Sequence, residues 1–195
     1  MTTENYFLLM DPDWAPAEAE TVPDFDAVIG VWPLAGDGSV GSFLGNPDYR
    51  PRDLNAVADP LDAMFRLAGR AEVRAEQIQL ILRDSLFEVA LNGDGRPLIM
   101  RSPDDVPCVV IATSGPRREQ ATAPQWRRID LTELVSLLPD RVDVLFNPGS
   151  PVPFRLIGDF IRESLLMSDE QIVEAYEVIR ESLGDRRLEV VPWQL

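Results

Sequence analysis

The chain of 195 residues contains no histidine and no lysine, and a single cysteine. Each absence removes a class of chemistry. Without histidine there is no imidazole general base, no Ser-His or Cys-His nucleophile pair and no histidine metal ligand. Without lysine there is no Schiff base, no phosphate-cradling P-loop lysine and no kinase-type strand lysine. Cys108 cannot form an internal disulfide, which agrees with a reducing compartment. Long hydrophobic runs are missing too. The segment Val106 to Ala112 is far below the roughly 20 apolar residues that a transmembrane helix needs, and Met1 to Glu4 lacks the basic start of a signal peptide. The expectation is a cytoplasmic protein with no membrane insertion, no cofactor, no bound metal and no catalytic residues. Any enzyme built from this alphabet would have to use carboxylates, Arg, Tyr, one thiol and backbone amides.

What is present is acid. Eighteen Arg stand against 33 Asp and Glu, a net charge of −15 with a pI near 4.3. Nucleic acid is excluded as a partner, because its binding depends on cations that release condensed counterions, and anionic membrane surfaces are disfavoured for the same reason. The acid is concentrated at the start: residues 1–49 hold nine carboxylates and no cation, and the first Arg is Arg50. This segment is either a face for a basic partner or solvated surface.

Hydrophobic patterning, turn residues and caps predict an α+β fold, with a mixed, largely antiparallel sheet, packed helices and a C-terminal helical extension. Tyr6 to Met10 reads as a strand and Asp11 to Asp26 as a long surface loop. Ala27 to Trp32 and Val40 to Leu44 flank Gly36-Asp-Gly38 as a hairpin. Asp59 followed by Pro60 opens a helix that runs to Gly69, and a second helix spans about Arg74 to Arg83. Strands are expected at Leu86 to Leu91, Val106 to Ala112 and Val142 to Phe146. The first is followed by an Asn92-Gly-Asp-Gly95 turn of type I′, from which Pro97 to Met100 returns antiparallel. Thr113 to Pro124 reads as a loop. Capping boxes at Asp130 and Ser168 open helices Leu131 to Leu138 and about Ile172 to Leu183; between them a helix covers Ile157 to Leu166. Gly184 is the expected C-cap of the last helix, and Arg186 to Val191 a terminal strand. The division along the chain is an acidic N-terminal lobe (1–85), an α+β part (86–166) and a helical extension (167–195), within one continuous globular unit.

Gly36-Asp-Gly38-Ser-Val-Gly41 matches the dinucleotide fingerprint by letter. It does not open a helix, however, as a pyrophosphate site must, and so reads as a hairpin turn. The acidic pairs lack the shaped loop of a calcium site. Cys108, between Pro107 and Val109 in an apolar strand, reads as an inert structural thiol. Two irregular segments stand apart, Asn46-Pro-Asp-Tyr-Arg-Pro51 and Asn147-Pro-Gly-Ser-Pro151. Each is either a strand terminator with an Asn-capped turn or a rigid loop offered to a partner, Tyr and Arg being frequent interface anchors. The candidate partner-binding residues are Asn46, Tyr49, Arg50, Asn147, Gly149 and Ser150.

The series Phe7 to Trp14, Ile29-Gly-Val-Trp-Pro33, Asn46 to Pro51, Asp59-Pro-Leu-Asp62, Val106 to Thr113 and Asp143 to Gly149, in that order, resembles the actinobacterial type VII secretion system-associated protein family. Leu86 to Phe154, ending Val144-Leu-Phe-Asn-Pro-Gly-Ser-Pro-Val-Pro-Phe154, also resembles the SseB N-terminal domain family. Tyr49 and Asp53 have the Tyr-x-x-x-Asp spacing of a type VII export signal, but in a mid-chain, Pro-rich loop rather than after a helical hairpin, so the protein is not expected to be an export substrate itself. The resemblance implies a non-enzymatic accessory protein, an adaptor or chaperone, whose partner is a component of the secretion machinery or a secretion substrate. The alternative is an immunity protein whose acidic surface neutralises a secreted toxin. A Lys-free, Arg-only cation set also suits a GC-rich genome.

Overall fold

The computed structural model describes residues 5–14, 25–36 and 39–182. The chain divides into two compact units. One contains residues up to Arg50 together with those from Ser168 onward, and the other runs from Pro51 to Met167.

In the first unit, β1 (Asn5–Met10) pairs antiparallel with β2 (Val28–Leu34), which pairs antiparallel with β3 (Leu44–Gly45). The predicted reversal is present, but its second arm is not the continuous strand Val40 to Leu44: only Leu44–Gly45 is strand, with an isolated bridge at Val40. Leu34 bridges Val40, and Ala35 N–H donates to the Ser39 carbonyl at 2.8 Å, so the chain reverses where the glycine-rich motif lies; Asp37 and Gly38 fall outside the described residues. Trp32 meets the Phe43 ring edge-on at 4.8 Å. That contact requires Gly30, because a Cβ there would collide with the Phe43 ring and the Leu44 carbonyl. Helix α6 (Asp169–Ser182) belongs to this unit. Its capping box is reciprocal: Gln171 N–H donates to Ser168 Oγ at 3.3 Å and Ser168 N–H to Gln171 Oε1 at 2.9 Å. The predicted Gly184 cap, the Arg186 to Val191 strand and most of the Asp11 to Asp26 loop lie outside the described residues.

The second unit is a six-stranded sheet with helices packed on it. Its strands are β4 (Phe87–Leu91), β5 (Ile99–Arg101), β6 (Pro107–Ala112), β7 (Gln125–Ile129), β8 (Asp143–Phe146) and β9 (Phe154–Leu156). The order is β7-β4-β6-β8-β9, with β5 also paired to β6. Only β6 and β8 run parallel. The fold class is thus the α+β arrangement with mixed, mainly antiparallel sheets. The helices are α1 (Pro60–Gly69), α2 (Ala75–Asp84), the single turn α3 (Gly115–Glu119), α4 (Leu131–Leu137) and α5 (Gly158–Leu166).

Three expectations are corrected. Thr113 to Pro124 is not a plain loop, because it contains α3, and β7 and β9 are strands that the hydrophobic pattern did not disclose. The turn after β4 is not type I′: among residues 92–96 only Gly95 has positive φ (74°), and Gly95 N–H donates to the Asn92 carbonyl at 3.1 Å. This is an ordinary turn followed by one left-handed residue. The division at residue 85 also gives way. Helix α1 belongs with the larger sheet, since its Phe65 stacks on Phe154 at 4.6 Å and packs on Phe146 at 5.0 Å. Helix α6 groups with the residues up to Arg50.

The end of α1 shows a local mismatch between sequence and backbone. Ala71 N–H donates to Ala68 O and Glu72 N–H to Leu67 O, the bond pair of a Schellman cap. Its left-handed position, usually glycine, is held by Ala71 at φ 59°, while Gly69 sits inside the helix with open space where a Cβ would go. Exchanging the two, Gly69→Ala with Ala71→Gly, is expected to raise stability by about 1–2 kcal/mol in urea denaturation.

Candidate functional site

Because β6 and β8 are parallel, the residues that follow them emerge side by side. Asn147 N–H donates to the Ile111 carbonyl at 2.8 Å, continuing the ladder, and Asn147 then turns left-handed at φ 52° with no exposed surface. Its Oδ1 accepts the Thr113 N–H at 2.9 Å and lies 3.1 Å from Thr113 Oγ1. Thr113 Oγ1 is in turn 2.6 Å from Asp59 Oδ2. Asp59 caps α1 through Oδ1, which accepts the Asp62 N–H at 3.0 Å. One short chain of polar atoms thus joins the start of α1 to the ends of two strands. Burial pushes the Asp59 carboxyl above its ordinary value of 3.8 and the nearby Asp62 adds to this, while hydrogen bonds from Thr113 and the Asp62 amide, and the nearby Ser114 hydroxyl, act in the opposite direction. The loop past Asn147 is tightly seated. Gly149 has φ 84°, and a Cβ on it would run into the Gln120 carbonyl; Ser150 N–H closes the turn on Asn147 O at 3.1 Å.

Beside this junction lies a buried ion pair. Arg117 on α3 is 1% exposed and Asp62 on α1 is fully buried; Arg117 Nη2 and Asp62 Oδ2 are 2.5 Å apart. The same guanidinium donates to the carbonyls of Leu54 (2.9 Å) and Ala56 (2.5 Å) and to Gln120 Oε1 (3.0 Å). Asp62 Oδ2 also accepts the Ala58 N–H at 3.0 Å. Together these bonds fix the irregular segment 51–58 against α1 and α3. A depression of about 310 Å³ opens there, walled by Pro51, Leu54, Ala56, Ala58 and Pro116. Leu54 on its rim is 65% exposed.

The sequence candidates fall into two groups, one in each unit. Asn46, Tyr49 and Arg50 belong to the first. The Asn46 amide donates to Phe25 O (3.0 Å) and Val28 O (2.8 Å), and its Oδ1 accepts the Asp48 N–H at 2.9 Å. Tyr49 is buried, its hydroxyl donating to Asp11 Oδ2 at 3.4 Å, so it is an internal tie rather than an anchor offered at the surface. Arg50 is exposed, but its guanidinium folds back onto Pro47 O and Tyr49 O. In the second unit, Asn147, Gly149 and Ser150 do meet, at the strand-end junction. Asp59, Asp62, Thr113 and Arg117 complete that region without having been singled out as site residues. Asp59 and Pro60 were visible as a helix start; the partners, 54 or more positions away, have no local signature.

Cys108 is fully buried, its thiol donating to Val106 O at 3.3 Å, and burial pushes the thiol up, away from the nucleophilic thiolate. Among the described residues no cluster of three or more Cys, Asp and Glu side chains has the geometry to hold a metal ion. Nor, among those residues, is any helix long and apolar enough to cross a membrane. No protein-family model, curated protein or solved structure gives a significant match to the chain.

The geometry makes Asp62 and Arg117 interdependent. Removing Asp62 leaves Arg117 buried without its counter-charge, and removing Arg117 leaves Asp62 only the more distant Arg66 at 3.8 Å. Asp62→Ala and Arg117→Ala are therefore each expected to cost about 3–5 kcal/mol in urea unfolding, and the double variant less than the sum of the two. Gly149→Ala is expected to cost about 2 kcal/mol or more, from left-handed strain and the Gln120 contact.

Proposed function

We propose that this chain is a non-enzymatic cytoplasmic accessory protein of type VII secretion, an adaptor or chaperone that binds a protein partner bearing a basic surface. The observation that carries this reading is the segregation of charge. The first unit holds 16 acidic residues against four Arg, a net −12, whereas the second holds 17 against 14, a net −3. Helix α6 contributes to the acidic side, with Asp169, Glu170 and Glu174 exposed. Such a field steers a cationic protein and repels polyanions. The ordered resemblance to secretion-associated proteins supplies the biological setting. The non-enzymatic reading is supported by how the enclosed ionisable groups are used: Asp59 as a helix cap, Asp62 and Arg117 as a structural pair, and Cys108 as a buried thiol.

The test is affinity capture of the tagged chain from a host carrying a type VII secretion locus, at low and high salt, beside the double variant Glu170→Arg and Glu174→Arg. A product of that locus is expected with the native chain, reduced about tenfold by the variant and by salt. Capture insensitive to both would remove the electrostatic basis of the proposal, and absence of any locus product would remove its biological setting. If the captured product is a toxin whose activity the chain blocks, the immunity reading replaces the adaptor reading.

A further inference from the structure

We infer that Asp59, Thr113 and Asn147 form a proton-operated latch: the closed junction between α1 and the ends of β6 and β8 holds a proton on the Asp59 carboxyl, and loosens when that proton leaves. This goes beyond the proposed function and does not depend on it.

The argument is a count of protons. Thr113 Oγ1 carries one hydrogen, yet it lies 2.6 Å from Asp59 Oδ2 and 3.1 Å from Asn147 Oδ1. Both neighbours are acceptors if Asp59 is ionised. The orientation of the Asn147 amide is fixed independently, because the Thr113 N–H requires an acceptor 2.9 Å away; turning the amide over would set its NH2 against that N–H. With an Asp59 carboxylate, the single hydroxyl proton therefore goes to one neighbour. The natural choice is the charged one, which leaves two oxygen lone pairs facing each other between Thr113 and Asn147. With Asp59 protonated on Oδ2 the chain closes: Asp59 O–H donates to Thr113 Oγ1, and Thr113 O–H donates to Asn147 Oδ1. Asp59 Oδ1 remains free to cap α1 through the Asp62 N–H in either state.

The surroundings agree with a retained proton. From its own helix Asp59 faces Asp62, a like charge, although that charge is paired with Arg117 of α3 and lies 3.8 Å from Arg66. From the segment that follows β6 it faces Thr113 and Ser114, both uncharged, although their hydroxyls act to lower the carboxyl, and Asn147 lies beyond Thr113. No ion pair reaches Asp59 among the described residues. The N-terminus of α1 favours the anion, but burial acts the other way and is the leading influence, so the carboxyl is held above 3.8. The sign of the stability effect follows. A folded-state pKa above the unfolded one means that the folded chain binds more protons in the window between them. The contribution to stability is complete below the unfolded value and is lost as pH rises through the folded one.

Asp59→Asn is the natural probe, because the amide keeps an Oδ1 cap for α1 and an N–H donor for Thr113 Oγ1 and so mimics the protonated acid. Two measurements decide the matter. The first is the pH titration of the Asp59 carboxyl carbon by NMR in the wild-type chain, which needs no variant. Its midpoint is expected above 3.8; a midpoint at or below that value would overturn the latch. The second is amide hydrogen exchange at Asp62, Thr113 and Ser150, corrected for intrinsic rates. Protection is expected to fall about tenfold as pH rises through the Asp59 titration in the wild type and to stay level in Asp59→Asn. Parallel pH profiles in the two proteins would show that the proton does not operate the junction.

Discussion

The second unit depends on a charge buried where it should not be stable. Asp62 and Arg117 lie in the interior of the α1–α3 contact, and moving two ions out of water costs several kcal/mol each even after relaxation. Their mutual attraction alone does not secure a gain over well-packed apolar residues. What changes the balance is the guanidinium fork. It reaches two backbone carbonyls and a glutamine oxygen as well as the carboxylate, so two carbonyls of the segment 51–58 are satisfied by a side chain 61 and 63 residues away. An ammonium group could supply the charge but not this planar spread of donors. The pair is best read as the fastener of an irregular segment that would otherwise face the solvent without regular structure.

The same device recurs through the chain. Arg83 donates to the carbonyls of Ser164 and Leu165 at the end of α5, Arg162 to those of Leu138 and Pro139 after α4, and Arg66 to that of Asn55. Each ties down carbonyls at a helix end or in a loop, where the regular backbone ladder stops. Arg155 bridges Asp104 and Asp143, and Asp143 in turn accepts the Gly158 N–H at the start of α5. A chain with only Arg as its cation has therefore used much of its positive charge as internal hydrogen-bond hardware.

Elements with their own start and stop signals were legible in the sequence. Asp59 with Pro60, Asp130 with Glu133 and Ser168 with Gln171 mark three helix starts, and the apolar runs of β4, β6 and β8 mark the strands that lie deepest. Elements that exist only through tertiary contact were not. Strand β7, Gln-Trp-Arg-Arg-Ile, has two adjacent arginines and no clean alternation; it is a strand because β4 supplies the hydrogen bonds along one edge. Helix α3, Gly-Pro-Arg-Arg-Glu, has no apolar face, and its position follows from what Arg117 reaches. At the candidate site, the irregularity of Asn147-Pro-Gly was visible, and its cause is a left-handed asparagine and a glycine against a carbonyl. The identity of the partners was not visible, because Asp59, Thr113 and Asn147 lie far apart in sequence and are brought together by the one parallel strand pair in the sheet. Tyr49 shows the converse: a residue type common at interfaces was placed inside, because Asp11 offers its hydroxyl an acceptor there.

The use of arginine as internal hardware bears on charge. The 14 Arg of the second unit nearly balance its 17 acids, and several of the guanidinium groups are turned toward carbonyls or enclosed carboxylates. The first unit has four Arg for 16 acids. At physiological ionic strength a surface charge is felt over about 8 Å, so what an approaching protein meets is the local balance and not the total of −15. A protein with a basic patch would experience attraction at the first unit and little at the second. The net charge is therefore best understood as two separate properties, a nearly neutral second unit fastened by arginine and a first unit in which acid far outnumbers arginine.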